Sequence, residues 1–158
     1  MNLIEQRWVH AIWCDDVRHE IGNKPSFMGV YTGDLVIPAR PAILTRLAVY
    51  VSLGTPMDQP FKHLTIRIEK NDDPKSIAAI GIPAEQLEEI AHAPSNLETD
   101  GPTGLGMSFI IQMGGISITD DTKWIKVWVD TEAETLDSFK LKISSPANAQ
   151  QYPQQLPI

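Results

Sequence analysis

The segment Trp13-Cys14-Asp15-Asp16-Val17-Arg18-His19-Glu20 gathers a thiol, three carboxylates, an imidazole and a guanidinium in consecutive positions. Asp15, Asp16, His19 and Glu20 offer oxygen and nitrogen donors to a divalent cation, and Cys14 with His10 or His19 could form a thiolate–imidazole pair. A plainer reading competes with both. Aspartates that follow a strand accept hydrogen bonds from nearby backbone amides, and Arg18 can neutralise one carboxylate, so the segment also reads as a polar turn.

Asp-Asp recurs as Asp15-Asp16, Asp72-Asp73 and Asp120-Asp121, each time in a predicted connection. If nine predicted strands run up and down in order, these are the first, fifth and seventh connections, which lie at one end of a sandwich. Carboxylates converging from several loops are what Ca²⁺ requires, so Asp15, Asp16, Asp72, Asp73, Asp120 and Asp121 form a candidate site for a cation-dependent binding domain. The placement is sensitive to strand count, and Asp is favoured in turns on its own account.

Other motifs carry less chemistry. Gly101-Pro102-Thr103-Gly104-Leu105-Gly106 lacks the Gly-Lys-Ser/Thr ending of a phosphate loop and precedes a β-like run, so it reads as loop punctuation. Ser108 lies outside a Gly-x-Ser-x-Gly setting, and His10, His19, His63 and His92 show no metal-ligand spacing. Trp8, Trp13, Trp124 and Trp128 fall in strand patterns. Trp124 and Trp128 share a face, and an aromatic stripe in a sheet reads as core before it reads as a ligand platform. No catalytic residue and no cofactor is assigned, and the chain is not expected to be an enzyme.

The elements that must position these residues are mostly strands. Residues 7–14 are apolar on both faces, as in a central strand. Residues 26–31 and 35–37 flank Thr32-Gly33-Asp34 and are expected to form a hairpin. Residues 43–53 make a long strand entered through Pro38-Ala39-Arg40-Pro41. Residues 63–70 alternate, with Leu64, Ile66 and Ile68 inward and Thr65, Arg67 and Glu69 wet, and residues 76–82 pair nearby. Residues 83–91 read as a short helix across one end, its Leu87, Ile90 and Ala91 sharing a face. Residues 94–106 are expected to be loop. Residues 107–118 are β-like, interrupted at Gly114-Gly115, and residues 123–129 and 135–143 form a terminal hairpin. From Ser144 the chain is uncharged and rich in Pro and Gln, a composition that cannot pack by itself. The expected organisation is a β-sandwich domain over 1–143 and a flexible tail over 144–158.

With 42% hydrophobic and 21% charged residues in a 158-residue chain, there is enough apolar surface to fold without disulfides or metals. The single cysteine cannot pair internally, and no signal-like or spanning apolar run is present, so the expected location is cytoplasmic, with no membrane partner. Thirteen Lys and Arg against twenty Asp and Glu give a net charge of −7, which repels a phosphate backbone unless cations cluster in space. Nucleic acid is therefore not an expected partner.

Trp13-Cys14-Asp15-Asp16-Val17-Arg18, Glu20-Ile21-Gly22-Asn23-Lys24 and Ser26-Phe27-Met28-Gly29-Val30-Tyr31 resemble the signature of a family of small uncharacterised bacterial and prophage proteins. There, a Cys-Asp-Asp-hydrophobic-Arg box is followed by a Gly-x-Lys turn and a Gly-Val-Tyr strand end. The likeness covers about the first fifty residues, through Pro38, Leu44 and Leu47. It implies an all-β, immunoglobulin-like antiparallel sandwich and a phage or prophage origin, and it carries over no site residues. In this signature Asp15 or Asp16 could pair with Arg18 or Lys24 while Gly22 and Asn23 turn the chain, making a structural corner; the same corner could equally be a recognition surface. The functional expectation is a non-enzymatic module that binds a protein partner through loops, sheet edges or the tail, whose Pro146, Pro153 and Pro157 favour extended structure, with Ca²⁺-dependent binding as the alternative. Free sheet edges also leave room for a homo-oligomer.

Overall fold

The computed structural model describes residues 6–71, 73, 75–92 and 104–146. Within them the fold is an all-β sandwich with one helix. The first sheet has the order β2-β1-β5-β8, from β1 (Trp8–Glu20), β2 (Lys24–Val30), β5 (Leu47–Thr55) and β8 (Leu105–Met113), all antiparallel. The second has the order β3-β12-β10-β6-β7, from β3 (Asp34–Val36), β6 (Leu64–Lys70), β7 (Ser76–Gly81), β10 (Trp124–Thr131) and β12 (Leu141–Ser144), with β11 (Thr135–Asp137) paired to β10. A small ladder joins β4 (Ala42–Leu44) to β9 (Ile116–Ile118), and α1 (Ala84–His92) follows β7.

Period-two patterning accounts for the core. Leu47, Val49, Val51 and Leu53 of β5 face Leu64, Ile66 and Ile68 of β6, Ile125, Val127 and Val129 of β10, and Leu141 of β12 within one cluster in which each is at most 1% exposed. Side chains of this size contribute about 1.5–3 kcal/mol each when fully buried, so this layer dominates stability. Leu87 anchors α1 to the same cluster, as its apolar face predicts. The alternation expected for residues 63–70 holds through Ile68 but breaks at Glu69, which was expected to be wet and is buried in its pairing with Arg67.

Two part-buried arginines make long-range contacts, and the first of them joins the two sheets. The Arg7 side chain, 6% exposed, lies 4.8 Å over the Phe61 ring, donates to Thr55 Oγ1 and Thr131 Oγ1 at 3.2 and 3.0 Å, and pairs with Glu132. Arg40 donates to the carbonyls of Thr119, Thr122 and Ile143 at 3.1, 2.6 and 3.0 Å.

Several sequence expectations need correction. The first strand does not stop at Cys14. It runs to Glu20, because β2 continues to pair with it after β5 has ended at Cys14, and a two-stranded arm needs no apolar alternation. Residues 26–31 and 35–37 form no hairpin. Thr32-Gly33 carries the chain from the first sheet to the second, where β3 runs parallel to β12, so the sandwich is not wholly antiparallel. The strand expected over 43–53 is split at Thr45-Arg46 into β4 and β5, which join different ladders. Of the loop expected over 94–106, residues 94–103 lie outside the described residues, and β8 already starts at Leu105. The hairpin of the last strands is present as β10–β11, with β12 returning to the same side of β10. Residues 147–158, the bulk of the expected tail, lie outside the described residues.

Candidate functional site

The polar segment after Cys14 folds onto its own hairpin. At the tip, Gly22 and Asn23 have φ of 85° and 58°, a left-handed backbone that Gly and Asn tolerate best, and Glu20 faces Lys24 across the turn. Further in, the Asp15 carboxylate lies over Gly29 and accepts the Tyr31 hydroxyl. A Cβ at position 29 would collide with that carboxylate, and Gly29 has a φ of 64°, so glycine is required there twice over. Burial and then the Asp15 hydrogen bond push the Tyr31 hydroxyl far above its ordinary range. On Asp16, 8% exposed, Arg46 donates at 2.8 Å and Gln112 at 3.2 Å, with Arg18 at 3.5 Å. The Asp16–Arg18 pairing expected from sequence is present. Arg46 and Gln112, distant in the chain, were not visible to it.

Cys14 is fully buried among Val17, Ala48, Phe27 and Ile110. Burial raises its thiol above the ordinary value, and the neighbouring Asp15 and Asp16 charges add to this against a backbone hydrogen bond at Asp16. A thiolate pair with His10 or His19 is correspondingly disfavoured.

The six aspartates of the candidate cation site occupy different settings. Asp15 and Asp16 lie within β1, not in a connection, and each is engaged as described. Asp72 lies outside the described residues. Asp73 accepts the Lys75 amide at 2.9 Å, a local turn. Asp121 accepts the Thr119 hydroxyl, which holds its carboxyl below the usual range. The β6–β7 and β9–β10 connections do meet: Asn71 donates to the Asp121 carbonyl at 2.9 Å and accepts the Lys123 amide at 2.7 Å. Asp120 belongs to the latter turn, where Arg40 approaches its carbonyl at 3.5 Å. Among the described residues no three His, Cys, Asp or Glu side chains are grouped so as to hold a metal ion.

A different surface gathers chemistry that the sequence had dispersed. Along β10 the residues Ile125, Val127 and Val129 are fully buried, which turns Trp124, Lys126, Trp128 and Asp130 outward. The aromatic stripe expected as core is therefore on the outer face. Lys126 Nζ lies 4.2 Å from the Trp128 ring and pairs with Asp137; Lys140 Nζ lies 5.8 Å from the Trp124 ring; and exposed Lys142 stands opposite Trp124. Arg67 grips Asp130 through two nitrogens and also pairs with Glu69, so acid on this face is answered by cation. Phe139, between β11 and β12, is 86% exposed. Beside it a cavity of about 400 Å³ is lined by Val9, His10, Lys126, Asp137, Ser138, Phe139 and Lys140.

No family model, curated protein or solved structure matches the chain. The residues of the face therefore have to be read by their own chemistry. Lysine ammonium groups lie near two indole rings, and an aromatic side chain stands in water next to a cavity. That arrangement suits recognition of a ligand with negative charge and an apolar group. No helix among the described residues is long and apolar enough to cross a membrane.

Proposed function

We propose that the chain is a non-enzymatic protein-binding module whose β10–β12 face takes a short acidic segment of a partner protein bearing an apolar or aromatic side chain. The observation that carries this reading is Phe139, 86% exposed beside the 400 Å³ cavity and flanked by Lys140. A phenylalanine held in water costs the apolar burial it could have had, and exposed aromatics of this kind become anchors when a partner excludes that water. Lys140 and Lys142 supply positive charge to this face on a chain whose net charge is −7, and they would favour the approach of an acidic segment. The face is not read as a nucleic-acid track, because Asp130, Asp137 and Glu69 share it with the cations. Burial of Cys14, with its raised thiol, supports binding over thiol catalysis.

The test is selection of peptides from a random display library on the wild-type protein, followed by titration against a Phe139→Ser/Lys140→Glu double variant. An acidic consensus with an aromatic position, losing tenfold or more in affinity on the variant, supports the reading. Peptides that bind the variant equally well, or a face that prefers a single-stranded oligonucleotide to any peptide, would overturn it.

A further inference from the structure

We infer that β8 is a self-pairing edge through which two copies of this chain form one continuous sheet. The strand Leu105–Met113 reads Leu-Gly-Met-Ser-Phe-Ile-Ile-Gln-Met, nine residues without a charge or a proline. Its ladder with β5 is unbroken from Leu47↔Met113 to Thr55↔Leu105, with no bulge to bend it away. At about 3.4 Å per residue it presents a straight edge of roughly 30 Å, along which alternate residues direct their amide and carbonyl groups away from β5. Among the described residues, nothing pairs with that side.

The other edges are defended. β2 carries Lys24, Pro25 and the left-handed Gly29; β3 is three residues long; and β7 is shorter, with a register shift opposite Ile68/Glu69. Charges, prolines, bulges and brevity are the usual means of preventing edge-to-edge association, and β8 has none of them.

A second copy is the occupant that the strand's own chemistry selects. Antiparallel pairing about a twofold axis at Phe109 sets Ser108 opposite Ile110, Met107 opposite Ile111, Gly106 opposite Gln112 and Leu105 opposite Met113 of the second copy. Every cross-strand pair is then neutral, although each chain carries a net charge of −7. The same register keeps faces matched. Met107, Phe109 and Met113, half-buried and packed against the core cluster, meet Ile111, Phe109 and Leu105 of the second copy. A closed twofold contact of this kind ends at the dimer and does not propagate.

The experiment is the solution mass of the full chain by light scattering over a concentration series, with Ser108→Lys as the probe. Ser108 is exposed, and two lysines there would be diagonal neighbours about 7–8 Å apart across the axis. The expected result is twice 17.5 kDa for the wild type at tens of micromolar and 17.5 kDa for Ser108→Lys with unchanged circular dichroism, while Ser108→Thr stays dimeric. If Ser108→Lys fails to fold, hydrogen exchange of the wild type decides: β8 amides should slow as concentration rises. A wild type that is monomeric at every concentration with β8 exchange unchanged, or a dimer indifferent to Ser108→Lys, would overturn the inference. So would a chain that dimerises only after deletion of residues 147–158, which would make that segment the occupant.

Discussion

The β1–β2 corner and the β10–β12 face hold similar side chains and use them in opposite ways. At the corner, Asp15 is taken by Tyr31 and lies over Gly29, while Asp16 is taken by Arg46, Gln112 and Arg18. On the face, Lys140 and Phe139 project into solvent beside a cavity, and Lys142 is exposed next to them on β12. The aspartates of the densest polar stretch are thus engaged within the fold, and the outward chemistry of the face is assembled from residues that look unremarkable in the chain. Density of titratable groups along a sequence measures local pairing as readily as it measures function, because an acidic segment folded into a strand must find its cations and hydrogen-bond donors before the hairpin can form.

The sharpest way to break this comparison is Gly29→Ala. The substitution forces an L side chain into a left-handed backbone, a cost of about 1–2 kcal/mol, and also displaces the Asp15 carboxylate that occupies the Cβ position. A total loss of about 3 kcal/mol is expected from urea unfolding, within the range of mutations that break a special backbone position and its neighbour. Asp15→Ala in the same background should recover part of it, since the collision is then gone while the backbone strain persists. A Gly29→Ala protein as stable as the wild type would show that the corner is not structural, and would return its carboxylates to the list of candidate functional groups.

How much of this was legible in advance depends on the range of the interactions. The sandwich class, the alternation of residues 63–70, the helix anchored by Leu87 and the turn at Gly22-Asn23 follow from local pattern, which the chain carries within a few residues. The crossing at Thr32-Gly33 and the parallel β3–β12 pair do not, because the choice between a hairpin and a sheet-to-sheet crossing is made by partners more than a hundred residues away, at Lys142 to Ser144. The face was misread for a related reason. Period-two alternation places Trp124 and Trp128 together but leaves open which side faces the core, and the decision rests on Ile125, Val127 and Val129 packing better inside. Linear spacing also separates Lys126 from Lys140 and Lys142, whereas strand pairing sets them on one face around Trp124 and Trp128.

The Arg7–Glu132 contact belongs with the corner, since its charges are also spent internally, and it offers a pH test of intermediate size. Burial alone would raise the Glu132 carboxyl, but the Arg7 guanidinium and the Lys62 and His63 amides outweigh it and hold the group at about 2, against an ordinary 4.5. A depressed carboxyl stabilises the fold fully above about pH 4.5, and that contribution is lost as pH falls towards 2, because the unfolded chain takes up the proton first. With part of the side chain in water the effect is discounted to the order of 2 kcal/mol. Unfolding free energy measured between pH 5 and 2.5 should fall less steeply in Glu132→Gln than in the wild type; parallel slopes would show that Arg7 is held by its neutral partners.

The smallest effect on stability, and the one that completes the contrast, is expected from Phe139→Ser and Lys140→Glu. Phe139 is 86% exposed and so contributes little apolar burial to the folded state; Lys140 lies 5.8 Å from the Trp124 ring, a contact worth no more than about 0.5–1 kcal/mol at an exposed site. Thermal unfolding of either variant should stay close to the wild type, within about 1 kcal/mol, because surface changes away from special backbone positions and buried pairs rarely exceed that. The partner-binding reading needs this outcome as much as it needs the loss of affinity: a residue kept in water at no benefit to the fold is explained by what it touches elsewhere. A large destabilisation by Phe139→Ser would mean that the ring packs in solution against part of the chain beyond the described residues, and the face would then join the corner as architecture.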